Sequence, residues 1–164
     1  MADASDDVAI EFESPRGRVV LSTVVLGSAV AMLTATVVNV ALPTLARSLD
    51  AGSAGQKWIV NGYTLTLASF ILIGGSLGDR YGRVIVFRVG VVWFAAASLL
   101  CTIAWDTPSL IVFRLLQGIG GALLTPGSLS IIQASFRRED RGRAVGAWSG
   151  ITGIAGAIGP LLGG

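Results

Sequence analysis

Of the chain's 164 residues, 52% are hydrophobic and only 13% are charged. A soluble domain carries about twice that charged fraction, and so much apolar surface in water would drive aggregation, so the composition argues against a soluble globular enzyme. A single cysteine leaves no internal disulfide framework, and the absence of histidine removes the commonest metal ligand and the usual neutral-pH proton shuttle.

Residues 1–18 read as a polar, flexible tail on the cytoplasmic side, with Asp3, Asp6, Asp7, Glu11 and Glu13 ahead of Pro15, Arg16, Gly17 and Arg18. They do not form a secretory signal, because the basic residues come late and the apolar run behind them is too long. The transmembrane region is expected over 19–164. Its first run, 19–45, has no charged residue, and 58–77, 84–105, 109–132 and 144–164 follow across short links. About 20 apolar residues cross a hydrocarbon core of about 30 Å. Backbone polar groups must be satisfied inside lipid, so all five runs read as helices. Buried helices of a soluble bundle would need more polar sequence to coat them. The expected fold is an all-α membrane protein with five transmembrane helices.

Charge sets the orientation. Arg16 and Arg18, then Arg80, Arg83 and Arg88, then Arg137, Arg138, Arg141 and Arg143 fall on one side, and only Arg47 and Lys57 on the other. The positive-inside rule then puts the N-terminus in the cytoplasm of a multi-pass cell-membrane protein, with Trp58 and Trp105 at the outer interface. The net charge of +2 is therefore topological, and no nucleic-acid partner is expected. Five helices starting inside must end outside, yet the chain stops on Gly163-Gly164 without a polar flank. The expectation is a chain cut short, whose missing partners are the C-terminal helices of its own full-length form.

Several residues break the lipid rule. Arg114 stands early in the fourth run, with Gln117 one turn on and Gly118, Gly120 and Gly121 behind it. It either faces the bundle interior as a coupling group or snorkels to the nearer headgroups. The link Gly74-Gly75-Ser76-Leu77-Gly78-Asp79-Arg80-Tyr81-Gly82-Arg83 has glycines every fourth residue. These make a bare helical stripe or permit positive φ in a turn. The link is either a gate of re-pairing ions or a tight hydrophilic turn. In the fifth run, Ala155, Gly159 and Gly163 form a small-residue stripe, and Gly156 and Gly164 flank Pro160 on another. In the first run, Thr34, Thr36 and Asn39 precede Pro43, and Thr36 and Asn39 can share an inward polar face. No phosphate loop, Cys/His ligand set or Ser–His pair is present, so no enzyme and no metal or organic cofactor is expected.

Taken together, these motifs resemble the N-terminal third of the fourteen-helix drug:proton antiporters, the multidrug efflux pumps of the major facilitator superfamily. The family's loop pattern is met at Gly75, Leu77, Gly78, Asp79, Arg80, Gly82 and Arg83, with Val84 where a basic residue is usual. The helix-four pattern is met at Arg114, Gln117, Gly118, Gly120, Gly121 and Ala122, and the antiporter pattern at Gly159, Pro160, Gly163 and Gly164. The helix-one pattern is met at Leu33, Thr36, Val38, Asn39, Val40, Ala41, Leu42 and Pro43, but Thr34 replaces a common acidic residue. The resemblance implies an incomplete N-terminal half of a major facilitator fold. It also implies alternating access, with helices one, four and five lining a path for a small amphipathic substrate and a proton gradient as energy source. Asp79 would help latch the outward-open state, with Arg137–Arg143, Glu139 and Asp140 as its cytoplasmic partners. The alternative is a membrane remnant that inserts but does not transport alone.

Overall fold

The computed structural model describes residues 10–163. It contains five helices: α1 (Pro15–Ser48), α2 (Ser53–Tyr81), α3 (Arg83–Thr102), α4 (Thr107–Ser135) and α5 (Arg138–Gly163). The first four are long and apolar enough to cross a membrane. The glycine-rich α5 packs along α1.

Most of these helices extend beyond the apolar runs. Hydropathy marks where lipid begins, whereas a helix ends where its terminal N–H and C=O groups find other partners. At the start of α1, Ser14 Oγ accepts from Gly17 N at 3.0 Å and Pro15 takes the first turn, where its missing N–H is not needed. At the start of α4, Asp106 and Ser109 form a reciprocal capping box, with Ser109 N donating to Asp106 Oδ1 at 2.8 Å. Hydrogen bonds from Ser109 hold the Asp106 carboxyl below its ordinary value, so the charged cap stabilises the fold fully above that ordinary value and ceases to as pH falls through the lowered folded one. Glu139 and Asp140 sit in the first turn of α5, where the helix dipole favours them. In contrast, α3 stops at Thr102, leaving Trp105 in the connection to α4.

α4 is the central element. It packs most extensively against α2, then against α3, while α1 pairs with α5. Small residues make this close approach possible. A Cβ on Gly120 would lie 2.9 Å from Phe94 Cα of α3, and one on Gly74 of α2 would run into the Ala122 carbonyl of α4. Without a hydrophobic drive inside lipid, such dispersion contacts carry much of the helix association. The outward faces carry Leu72, Val92, Leu99 and Leu26, all exposed as membrane-facing residues should be.

Residues 10–14 are docked, contrary to the flexible tail expected from composition. Ile10 pairs with Phe136: Ile10 N donates to Ser135 O at 2.8 Å and Arg137 N to Ile10 O at 3.2 Å. Phe12 lies against Phe136, with ring centres 6.3 Å apart, and its N–H donates to Asp140 Oδ2 at 2.9 Å. Glu11 and Glu13 form ion pairs with Arg137 and Arg143, and the Arg143 guanidinium also sits 5.0 Å from the Phe12 ring centre. Composition weighs the acids and misses Ile10, whose backbone pairs with Phe136, and Phe12, whose ring packs against it. The rest of the expected tail, residues 1–9, lies outside the described residues.

Two expected outcomes follow from this packing. Gly120→Val should lower the detergent melting temperature, at a cost of about 1–3 kcal/mol from overpacking against the α3 backbone. Phe12→Ala should speed amide exchange at Ile10 and Phe12 about tenfold, while Glu11→Ala changes it far less, since exposed ion pairs contribute only about 0–1 kcal/mol. Equal effects from the two N-terminal variants would show that charge holds the segment.

Candidate functional site

Arg114 is 2% exposed, seven residues into α4, and its guanidinium stays inside the bundle. Nε donates to the Ile59 carbonyl of α2 at 3.1 Å, and an Nη donates to Gln117 Oε1. The guanidinium carbon stands 4.6 Å from the centre of the Tyr63 ring. Gln117 passes the network on, its Nε2 donating at 2.7 Å to Ser98 Oγ of α3, which donates to Phe94 O. The headgroup-snorkelling alternative is therefore not the geometry found. Among the described residues no carboxylate pairs with Arg114; its charge is met by a carbonyl, an amide oxygen and a π face. Arginine suits that role because its guanidinium is weakly hydrated and stacks on aromatic rings. A desolvated cation–π contact contributes about 2 kcal/mol against an insertion cost of about 2.5–3.5 kcal/mol. Gly118 completes the contact: any side chain there would collide with Thr66 Oγ1 and the Tyr63 carbonyl.

The glycine-rich link is mostly helix. α2 runs through Tyr81, so Gly74, Gly75, Gly78 and Asp79 are helical, and Gly82 alone separates α2 from α3. Gly82 has φ of +95°, a conformation that side chains resist, so the stripe and the turn readings both apply, to different glycines. Asp79 Oδ1 accepts from Arg83 at 3.1 Å, and Arg83 reaches back to the Ser130 carbonyl of α4 at 3.5 Å. Arg80 turns to Tyr81, 5.5 Å from its ring centre. Asp79 remains largely exposed. Two of the four arginines expected as its partners are paired elsewhere: Arg137 with Glu11, and Arg143 with Glu13 and Asp140. The acids of the N-terminal segment thus take Arg137 and Arg143, two of the four arginines assigned to the latch.

The antiporter motif meets helix one. A Cβ on Gly159 would collide with Thr36 Oγ1, and one on Gly156 would fall 2.9 Å from Met32 Cε. Thr36 itself bonds back to the Met32 and Leu33 carbonyls. Thr34 donates to Val30 O at 2.8 Å and Asn39 Nδ2 to Ala35 O at 2.9 Å, so both are satisfied within α1 and neither joins the Arg114 network. Pro43 lies at the far end of the bundle beside Arg47 and Asp50. Pro160 is exposed, Gly163 ends α5, and Gly164 lies outside the described residues.

Between α1, α2, α4 and α5 lies a cleft of about 330 Å³, whose wall includes Tyr63, Leu67, Trp148 and Ser128. Three helices are tied across it: Ser28 Oγ of α1 and Ser128 Oγ of α4 are 2.9 Å apart, and Trp148 Nε1 of α5 donates to Ser28 Oγ at 3.0 Å. Tyr63 belongs to both places, lining the cleft and holding Arg114. The sequence analysis singled out none of Tyr63, Ser98, Ser28, Ser128 or Trp148. The one signal for them was polarity within an apolar run, clearest for Ser98 and Ser128, which stand well inside the runs 84–105 and 109–132.

Replacing Arg114 and Gln117 by methionine, singly and together, should give destabilisations that do not add. A coupling of about 1 kcal/mol in detergent melting is expected; strict additivity would mean that the two side chains act independently.

A family model described as Major Facilitator Superfamily matches residues 24–164. The methylenomycin A resistance protein of Bacillus subtilis (strain 168) is 42% identical over 94% of this chain and 33% of its own length. The tetracenomycin C resistance and export protein of Streptomyces glaucescens is 38% identical over 88% of the chain and 27% of its own length. A puromycin resistance protein of Streptomyces alboniger is 34% identical over 97% and 32%. The chain thus spans about a third or less of the curated relatives it matches. With the glycine-mediated helix contacts, the α2–α3 ion pair and the buried arginine of α4, this match places the chain: it belongs to the Major Facilitator Superfamily.

Proposed function

We propose that this chain is part of a plasma-membrane exporter, its N-terminus cytoplasmic, that moves small amphipathic compounds outward by alternating access in exchange for protons. The observation that carries the reading is the cleft between α1, α2, α4 and α5, with the Arg114 network one aromatic ring behind it. An ionisable side chain at membrane depth marks a substrate or proton pathway by default, and superfamily transporters place their sites at such helix interfaces near the midplane. The three relatives are named for antibiotic resistance, one of them also for export, which supports small-molecule efflux. The nine arginines at one end of the bundle support the orientation.

Proton coupling is the finer part of the proposal. Thr34 puts no titratable group at the helix-one position, and its hydroxyl is bonded to its own helix. The groups that take up and release the proton are then other than this residue. The short coverage of the relatives supports a second reading for the chain by itself: it inserts without moving substrate.

Export of a fluorescent dye from cells expressing the full reading frame tests the proposal, with a protonophore to collapse the gradient. Export should stop with the protonophore. Asp79→Asn should reduce it at least tenfold at unchanged membrane level, because the charge that Arg83 holds is lost. Undiminished export by Asp79→Asn would remove the latch role. Export indifferent to the protonophore would remove proton coupling.

A further inference from the structure

Of the nine arginines at one end of the bundle, eight lie outside the apolar runs. Arg88 lies inside one, 84–105, as its only charged residue. With 20 residues, α3 rises about 30 Å, the thickness of the hydrocarbon core. Arg88 is the sixth of them, so its backbone stands about 7–8 Å inside the arginine-rich boundary. It is exposed, on a face shared with Ile85, Val92 and Leu99, which are exposed as well. The opposite side of α3 carries the buried Phe87, Gly90 and Phe94, the last two close against α4.

An arginine at that depth needs a partner or a way back to the headgroups. Most of its neighbours in charge have partners: Arg83 pairs with Asp79, Arg137 with Glu11, and Arg143 with Glu13 and Asp140. Arg80 lies over Tyr81, and Arg141 donates to the Phe136 carbonyl. Arg88 has no ion pair among the described residues. The helices that α3 packs against offer none either. Neither α3 nor α4 contains an acid, and Asp79, the one acid of α2, holds Arg83 at 3.1 Å. The counter-charge for Arg88 then comes from what surrounds the bundle, which at this position is lipid.

We propose that the outer face of α3 is a docking site for one anionic phospholipid, whose phosphate accepts hydrogen bonds from the Arg88 guanidinium while its acyl chains lie along Ile85, Val92 and Leu99. A guanidinium fits a phosphate because its planar fork can donate two parallel bonds. The sign of the headgroup follows from the α2–α3 joint, where Arg80, Arg83 and Arg88 face the single acid Asp79. That excess of cations repels the ammonium of a zwitterionic headgroup and leaves a phosphatidylglycerol headgroup unopposed. The proposal concerns a lipid partner and stands whether or not the chain's parent exports anything.

Native mass spectrometry of the purified full chain in detergent, with phosphatidylglycerol and phosphatidylcholine of matched acyl chains added in equal amounts, reads the site directly. The first lipid retained should be phosphatidylglycerol, favoured about fivefold for the one cation that holds it. Arg88→Ala should remove that preference. Because Arg88 is exposed and unpaired, the substitution leaves the packing of α3 on α4 as it is. Arg138→Ala takes away an equal charge from the exposed start of α5, outside the apolar runs, and should leave the preference unchanged. Excess inorganic phosphate should not displace the lipid, since it has no chains to lay on the apolar face. Three outcomes would overturn the proposal: a preference that survives Arg88→Ala, an equal loss in Arg138→Ala, which would mark diffuse surface charge, or displacement by phosphate, which would mark a site for any small anion.

Discussion

A guanidinium shut away from water, with no carboxylate beside it, constrains everything packed around it. Arg114 stays in the bundle because the Ile59 carbonyl and the Tyr63 ring of α2, with the Gln117 amide of its own helix, divide its charge among three partners. That division requires α2 close to α4, and the closeness in turn requires Gly118 to carry no side chain. Gln117 then needs its own partner, and Ser98 supplies it from α3. The three helices are thereby fixed in depth relative to one another as well as in distance. Apolar packing alone would not set that register, since one leucine surface slides over another at little cost inside lipid.

The end of the bundle where the arginines gather is organised differently. There the ions are exposed and individually weak, and the order comes from backbone pairing and the Phe12–Phe136 contact. The segment before α1 thus ties the start of the first helix to the junction of the fourth and fifth. It also occupies Arg137 and Arg143 with its own acids, leaving Asp79 to the neighbouring Arg83. The two sets of ion pairs are separate, with no shared member.

The fold was legible in the sequence to the extent that lipid dictates it. Uninterrupted apolar runs and the one-sided arginines lead to the five helices and their two ends. Helix limits were less legible, since Ser14, Asp106 and Ser109 act through local hydrogen bonds that hydropathy does not register. Among the site residues, Arg114, Gln117 and Gly118 were visible because arginine in a membrane is conspicuous and helical spacing puts Gln117 beside it. Tyr63 and Ser98 were not visible, because they come from other helices and nothing in a single sequence reports which helices touch. Thr34 and Asn39, conspicuous for the same reason as Arg114, find their bonds inside α1 instead. Polarity in an apolar run is a sign of a bonded group, but the partner is as often the residue's own backbone as another helix.

One face of the Tyr63 ring serves the cation, while the side chain also forms part of the cleft wall. A molecule that tilts or polarises this ring alters the setting of the charge behind it, and a change in that charge's surroundings alters the ring offered to the molecule. Such an influence is reciprocal by thermodynamic necessity: whatever free energy occupancy of the cleft contributes to one arrangement of the cation, that arrangement returns to occupancy. A side chain a few ångströms thick can thus link two binding events without any displacement of a helix.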